Sequence, residues 1–258
     1  MATTRLLCFL TLLTALGVSC TSTKSSTYFY NMKDTTVSAS GADFEYNLKK
    51  NDILSIQITS LSEDASKIFN TNNSIPGSLG NMAQYSGYLI SADGYIQLPL
   101  IGNVKAAGIS KKQLRENITQ IILDKKLLIE PIVNIRHLNF EVTVLGDVGK
   151  PSVITIPNEQ ITLIKALGMA GDITIYGNRD NVLLIRESDG KKTIRRINLN
   201  DSRFLVSSPY YYLQPNDVIY VESNKDRVSS VSRNRIILPS VLSALSIFAL
   251  VADRIIRK

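Results

Sequence analysis

The stretch YNLKKNDILSI, residues 46–56, returns near the other end of the chain as YYLQPNDVIYV, residues 211–221. Tyr, Leu, Asn and Asp coincide, and Ile53, Leu54 and Ile56 have aliphatic counterparts in Val218, Ile219 and Val221. Lys50 of the first copy is Pro215 in the second. Each copy reads as a polar turn centred on Asn-Asp that feeds an alternating aliphatic strand. Turn followed by strand is a common phrase and can arise twice by chance. The other reading is one device used twice, a strand that closes a small β-domain.

Working outward from the first copy, Ile53, Ile56 and Ile58 continue the strand. Residues 61–86 lose all periodicity and gather Asn, Ser and Gly, which predicts a long loop. Loops of that length in compact domains are usually functional or mobile. In GYLISADGYIQLPLIGNVKAAGIS, residues 87–110, Asp93-Gly94 signals a hairpin between two alternating runs, and a short return passes through Val104. Ser110 then opens a helix. SKKQ is a capping-box pattern, and Leu114, Ile118, Ile121 and Ile122 recur at helical spacing. After Pro131 the alternation of a strand resumes as far as His137. Residues 44–138 therefore read as one mixed domain.

The next part, residues 139–225, begins with two strands joined by the turn Gly146–Pro151. A short helix over 162–172, strands around Asp189-Gly190 and the second copy of the repeated phrase follow. This order suggests a β-grasp-like module, and the fold class expected for the whole chain is α+β.

The ends speak to the compartment. Residues 1–19 have a charged start at Arg5, an apolar middle and small residues at the end, the pattern of a secretory signal peptide. GVSC, residues 17–20, resembles a bacterial lipobox, which would make Cys20 the acylated first residue of the mature protein. An ordinary secretory signal with a nearby cysteine is the alternative. Residues 20–43 are polar and Ser/Thr-rich, as a tether should be.

With Cys8 removed and Cys20 consumed, no thiol is left for a disulfide, a nucleophile or a zinc site. His137 is the sole histidine, so a His-rich metal site is impossible and any Ser-His-Asp triad would hang on it. It sits in an alternating strand pattern and reads as structural. No acidic pair has a motif around it, and Asp52 and Asp217 read as turn formers, so no enzyme and no cofactor is expected. The formal charge is +7, but the basic pairs are scattered along the chain and read as solvated faces, with no nucleic-acid partner.

YLISADGYIQLPLIGNVKAAGIS, with YNLKKNDILSI ahead of it, resembles the polysaccharide export domain of Wza-type outer-membrane exporters. VLGDVGKPSVITI through TLIKALGMAGD resembles the soluble-ligand-binding β-grasp (SLBB) module that follows it in that family. The resemblance implies that the repeated phrase is a reused strand entry, not the mark of a duplicated domain. Larger relatives carry more than one β-grasp module, whereas this chain has room for one.

Past a basic linker, 226–235, the chain ends in an expected amphipathic membrane helix over 236–258. Its uncharged part, Ile236 to Ala252, is about 25 Å long as a helix, against a hydrocarbon core of about 30 Å. Ser240, Ser243, Ser246, Asp253, Arg254 and Arg257 project to one arc, diluted by Ile247, Leu250 and Val251, and Val241, Leu242, Leu245 and Phe248 to the other. Three readings stay open: a lone transmembrane anchor, a helix lying on the membrane surface, and a ring of copies turning the serine stripe toward a pore. The resemblance implies the ring: a lipid-anchored outer-membrane homo-oligomer, its body in the periplasm. It would be a passive conduit for capsular or exopolysaccharide, supplied by an inner-membrane polysaccharide co-polymerase. The rival is a periplasmic glycan-binding or scaffold lipoprotein whose last helix is a simple anchor.

Overall fold

The computed structural model describes residues 27–34, 36, 45–70, 87–188, 190–225 and 227, and residues 237, 240, 241, 243, 244, 246, 247 and 251 near the C-terminus. Both copies of the repeated phrase fold into the same turn. Asn51 and Asn216 sit at φ +69° and +64°, in the left-handed region that Asn enters more readily than most residues. Asp52 Oδ2 accepts the Lys49 N–H at 2.7 Å, and Asp217 Oδ2 accepts the Gln214 N–H at 2.8 Å. Each Asp N–H in turn donates back to the Lys49 or Gln214 carbonyl.

From the first turn the chain enters β1 (Ile53–Thr59), burying Leu54, Ile56 and Ile58. Helix α1 (Glu63–Lys67) follows, and the Ser62 hydroxyl accepts the Ala65 N–H as its cap. A 3₁₀ turn, Ile68–Asn70, completes the segment. Phe69 is buried there, and the Asn70 amide exchanges two hydrogen bonds with the Ile58 backbone. Residues 61–70, expected as loop, are thus largely helical, because a cap and one aromatic anchor suffice for a segment too short to show periodicity. Residues 71–86 of the expected loop lie outside the described residues.

The first body continues with β2 (Tyr88–Leu89), β3 (Tyr95–Leu98), β4 (Gly102–Lys105), α2 (Lys111–Asp124) and β5 (Ile132–His137). β1 is the middle strand, antiparallel to β2 on one side and β5 on the other. The Asp93-Gly94 turn forms, but it does not zip β2 to β3. β2 pairs with β1, and β3 pairs instead with β4 in a two-stranded sheet. Helix α2 opens on a complete capping box: the Ser110 hydroxyl accepts the Gln113 N–H while the Gln113 side chain accepts the Ser110 N–H. Its buried stripe of Leu114, Ile118 and Ile122 closes the first core.

The second body comprises β6 (Glu141–Gly146), β7 (Ser152–Thr155), α3 (Leu163–Met169), β8 (Gly177–Ser188), β9 (Lys191–Ile197), α4 (Arg203–Ser207) and β10 (Val218–Ser223). Its sheet has the order β7-β6-β10-β8-β9. The first and last strands, β6 and β10, lie side by side in parallel at the centre, and the other pairs are antiparallel. Helix α3 covers one face with Leu163, Ala166 and Leu167, a β-grasp arrangement. Gly146 ends β6 at φ +92°, where a Cβ would lie 2.0 Å from the Val221 carbonyl oxygen. Only glycine fits.

The repeated device extends beyond the turn. Just before it, Asn47 bridges to Ser110, the cap of α2, and Tyr212 bridges to Thr162, the cap of α3. Leu48 and Leu213, at matching positions, are both buried. In the first body the phrase precedes the helix and in the second it follows it. The local device is repeated while the order of elements is not. Among the described residues no helix is long and apolar enough to cross a membrane.

Candidate functional site

The two repeated turns meet where the bodies join. Lys49, beside the first Asp, donates from Nζ to the Glu187 carbonyl at 2.5 Å, close to the second turn, and burial lowers its pKa. Asp217 is fully enclosed, and Arg186 grips it with Nε at 2.9 Å and Nη2 at 2.6 Å. Tyr46 belongs by sequence to the first body but is buried in the core of the second, edge-on to Phe140. Its hydroxyl lies 3.1 Å from His137 Nδ1, and His137 Nε2 lies 2.9 Å from Asn139 Oδ1. The His137 backbone donates to Glu159, which is paired with Lys111.

Asp52 Oδ1 stands 3.6 Å from His137 Nε2. Burial pushes the Asp52 carboxyl up and the His137 imidazole down, so both resist carrying charge. With its ring enclosed and both nitrogens engaged, His137 couples the bodies mechanically and offers no open face to a substrate. Among the described residues no group of His, Cys, Asp and Glu could hold a metal ion.

A second feature is the face of the five-stranded sheet opposite α3. The strand registers align Val153, Thr143, Val218, Ile185 and Ile194 in one row across all five strands. Leu145, Tyr220, Leu183 and Arg196 form the next row. Val153, Leu145, Tyr220 and Ile194 are exposed. Beside them Arg196 Nη1 donates to Asn181 Oδ1 at 2.6 Å and to Glu222 Oε1 at 3.2 Å. An apolar row edged by a satisfied polar cluster can seat another protein surface, or an aromatic-stacked ring with hydroxyls at its rim.

A third feature gathers the segments that precede the first body and follow the second. Tyr28 and Phe29 pack against the second core. The Tyr28 hydroxyl donates to Asp172, its ring lies under the Arg179 guanidinium, and the Phe29 N–H donates to the Leu199 carbonyl. Burial and Asp172 hold the Tyr28 phenol far above its usual range. Just past β10 the Asn224 N–H donates to the Tyr176 carbonyl at 2.6 Å, and the Asn224 side chain accepts the Arg227 N–H. Arg227 Nη1 reaches the enclosed Asp147 at 2.6 Å, and the Thr174 hydroxyl donates to the same oxygen. Burial pushes Asp147 up, but hydrogen bonds from Arg227, Ser223 and Thr174 outweigh it and hold the carboxyl below its ordinary value.

Of the residues singled out in the sequence, Cys20, Asp253, Arg254 and Arg257 lie outside the described residues. Ser240, Ser243 and Ser246 are helical and exposed. Sequence reasoning did not single out Tyr28, Asp147, Asp172 or Arg227. One signal was available, the cluster Tyr28-Phe29-Tyr30 in an otherwise polar stretch, since aromatics in a free tether would have nothing to pack on.

Residues 40–138 match a family model described as polysaccharide biosynthesis/export protein. Residues 141–221 match the SLBB domain. The chain is 32% identical over 151 residues to the EPS I polysaccharide export outer membrane protein EpsA of Ralstonia nicotianae, covering 55% of this chain and 38% of that one. It is 31% identical over 139 residues to the protein of the same name from Ralstonia solanacearum, covering 50% of this chain and 36% of that one. The match thus spans less than two-fifths of the length of these curated relatives.

Proposed function

Since this chain joins a polysaccharide biosynthesis/export domain to an SLBB domain, we propose that it is an outer-membrane lipoprotein that assembles into a passive conduit for capsular or exopolysaccharide. The observation that carries the reading is the two domains in that order, together with relatives whose names give both polysaccharide export and the outer membrane. Cys20 carries the lipid, and the two bodies stand in the periplasm. An inner-membrane co-polymerase delivers the polymer, so the chain contributes passage and no bond-breaking chemistry.

In this reading the subunits form a ring. The exposed sheet face around Val153, Tyr220 and Ile194 supports it as a surface that a neighbouring copy would cover. Tyr220→Asp combined with Ile194→Asp is expected to shift the detergent-extracted protein from oligomer to monomer by native mass measurement. An unchanged oligomer would remove that face from the ring contact. The last helix, 236–258, crosses the outer membrane with Ser240, Ser243, Ser246, Asp253, Arg254 and Arg257 toward the pore. Helices satisfy their own backbone in lipid, so a ring of them is physically permitted.

The test is Lys258→Cys with a membrane-impermeant thiol reagent on intact cells. With Cys20 acylated, the label reports this one position. Labelling from outside supports the exit ring. Labelling only after lysis leaves both ends in the periplasm and promotes the rival, a scaffold lipoprotein with a simple anchor.

A further inference from the structure

The attachments of the second body are segregated along its strands. The first body meets it at Glu187, near the end of β8, and at the turn that precedes β10. The opposite end of the same strands is marked by the register pair Gly177 and Ser223. From Gly177 to Glu187 a strand spans about 33 Å. At that far end one loop, residues 172–177, meets the segments that flank the two bodies: Asp172 takes Tyr28, the Ile175 and Tyr176 carbonyls take Asn224, and the neighbouring Asp147, held by Thr174, takes Arg227.

The same loop, with the end of α3 beside it, presents apolar side chains to solvent. Ile175 is 77% exposed and Met169 52%, and the Tyr176 ring is also exposed. Lys150, on the adjoining turn, and Lys225 are exposed cations beside them. The loop packs on its neighbours through its backbone, the Asp172 and Thr174 side chains and buried Ile173, while Ile175 at its tip faces solvent.

We propose that this far end is a membrane-contacting surface: Ile175 enters the headgroup boundary of the bilayer, Met169 and Tyr176 flank it, and Lys150 and Lys225 face lipid phosphates. Chain length argues for a bilayer as the occupant. Tyr28 follows acylated Cys20 by eight residues, a reach of about 28 Å when fully extended, and Tyr28 is fastened to the loop itself. The lipid therefore holds this end within one short span of the membrane, while the first body hangs from the other end. An aromatic with a polar tip, an aliphatic and cations at one edge match the chemistry of the interface. The inference rests on the reading that Cys20 is acylated.

The experiment uses the full-length lipidated protein reconstituted into phosphatidylethanolamine–phosphatidylglycerol vesicles. An environment-sensitive fluorophore is placed at Ile175→Cys and, for comparison, at Ile129→Cys, an equally exposed position on the first body. The expected result is a blue-shifted emission at 175, quenched several-fold more strongly by headgroup-region nitroxide lipids than at 129. Equal quenching at both positions in protein that co-floats with the vesicles overturns the membrane contact and leaves the lipoprotein reading standing. Protein that fails to float, and behaves like its Cys20→Ala variant, overturns the lipoprotein reading and this inference with it.

Discussion

Asp52 and Asp217 occupy the same place in the same turn, and what faces each one separates them. Asp217 is locked by the Arg186 fork in a fully enclosed site. Removing one partner of such a pair strands the other, so Arg186→Leu is expected to cost about 3–5 kcal/mol in urea unfolding. Asp52 faces His137, and burial already pushes its carboxyl up. Asp52→Asn keeps the acceptor for the Lys49 N–H and is expected to cost about 1 kcal/mol or less. Comparable losses would refute the distinction. Asp147 supplies a pH test. Its folded-state pKa is depressed, so it contributes stability above the ordinary carboxylate value of about 3.9, and that contribution is lost as pH falls through the lower folded value. Arg227→Gln leaves the burial and removes the cation, so acid unfolding is expected to begin at higher pH. A circular-dichroism titration reads the midpoint.

Elements formed where a local signal and a tertiary partner agreed. Helix α2 has its cap, its periodicity and a core to bury, and Ser110, Gln113 and the stripe at Leu114, Ile118 and Ile122 were legible in the sequence. Strand pairing is decided by competition among strands, and Asp93-Gly94 shows the consequence: the turn forms, yet β2 and β3 go to different partners. Helix α1 was missed because five residues hold barely more than one turn of any period. The β6 exit is the least tolerant position among these elements. Gly146→Ala adds a side chain at φ +92° and 2.0 Å from the Val221 oxygen, whereas Gly190, at φ +71°, has open space. Gly146→Ala is therefore expected to cost well over the roughly 1 kcal/mol of strain for Gly190→Ala, with the β6–β10 pairing lost first by hydrogen exchange. Equal costs would show that the loop relaxes.

At the scale of the molecule, two cores share one seam. Tyr46 leaves the first body to fill the second, and Lys49, Lys111, His137 and Glu159 tie the same seam with polar contacts. Tyr46→Ala empties a buried aromatic site and should cost about 3–5 kcal/mol. The loss should fall on the second body and its junction, so amides of β6 and β10 should lose protection while those of α2 keep theirs. Uniform loss across both bodies would mean that they unfold as one unit. The seam lies at one end of the second body and the contacts of Tyr28, Asn224 and Arg227 at the other.

The sequence by itself determined the mixed fold class, most strands and the principal helices. It did so because alternation, capping residues and turn chemistry act over a few neighbouring positions. It also carried the family resemblance, in contiguous motifs. Only the tertiary structure decided that the repeated turns meet, that one buried Asp faces an imidazole and the other a guanidinium, and that Tyr46 serves the other body's core. The far-end loop belongs to the same group, since Tyr28, Asp147, Asp172 and Arg227 lie far apart in sequence and share no period. Contacts between distant residues depend on how complete surfaces fit, and no local pattern encodes that.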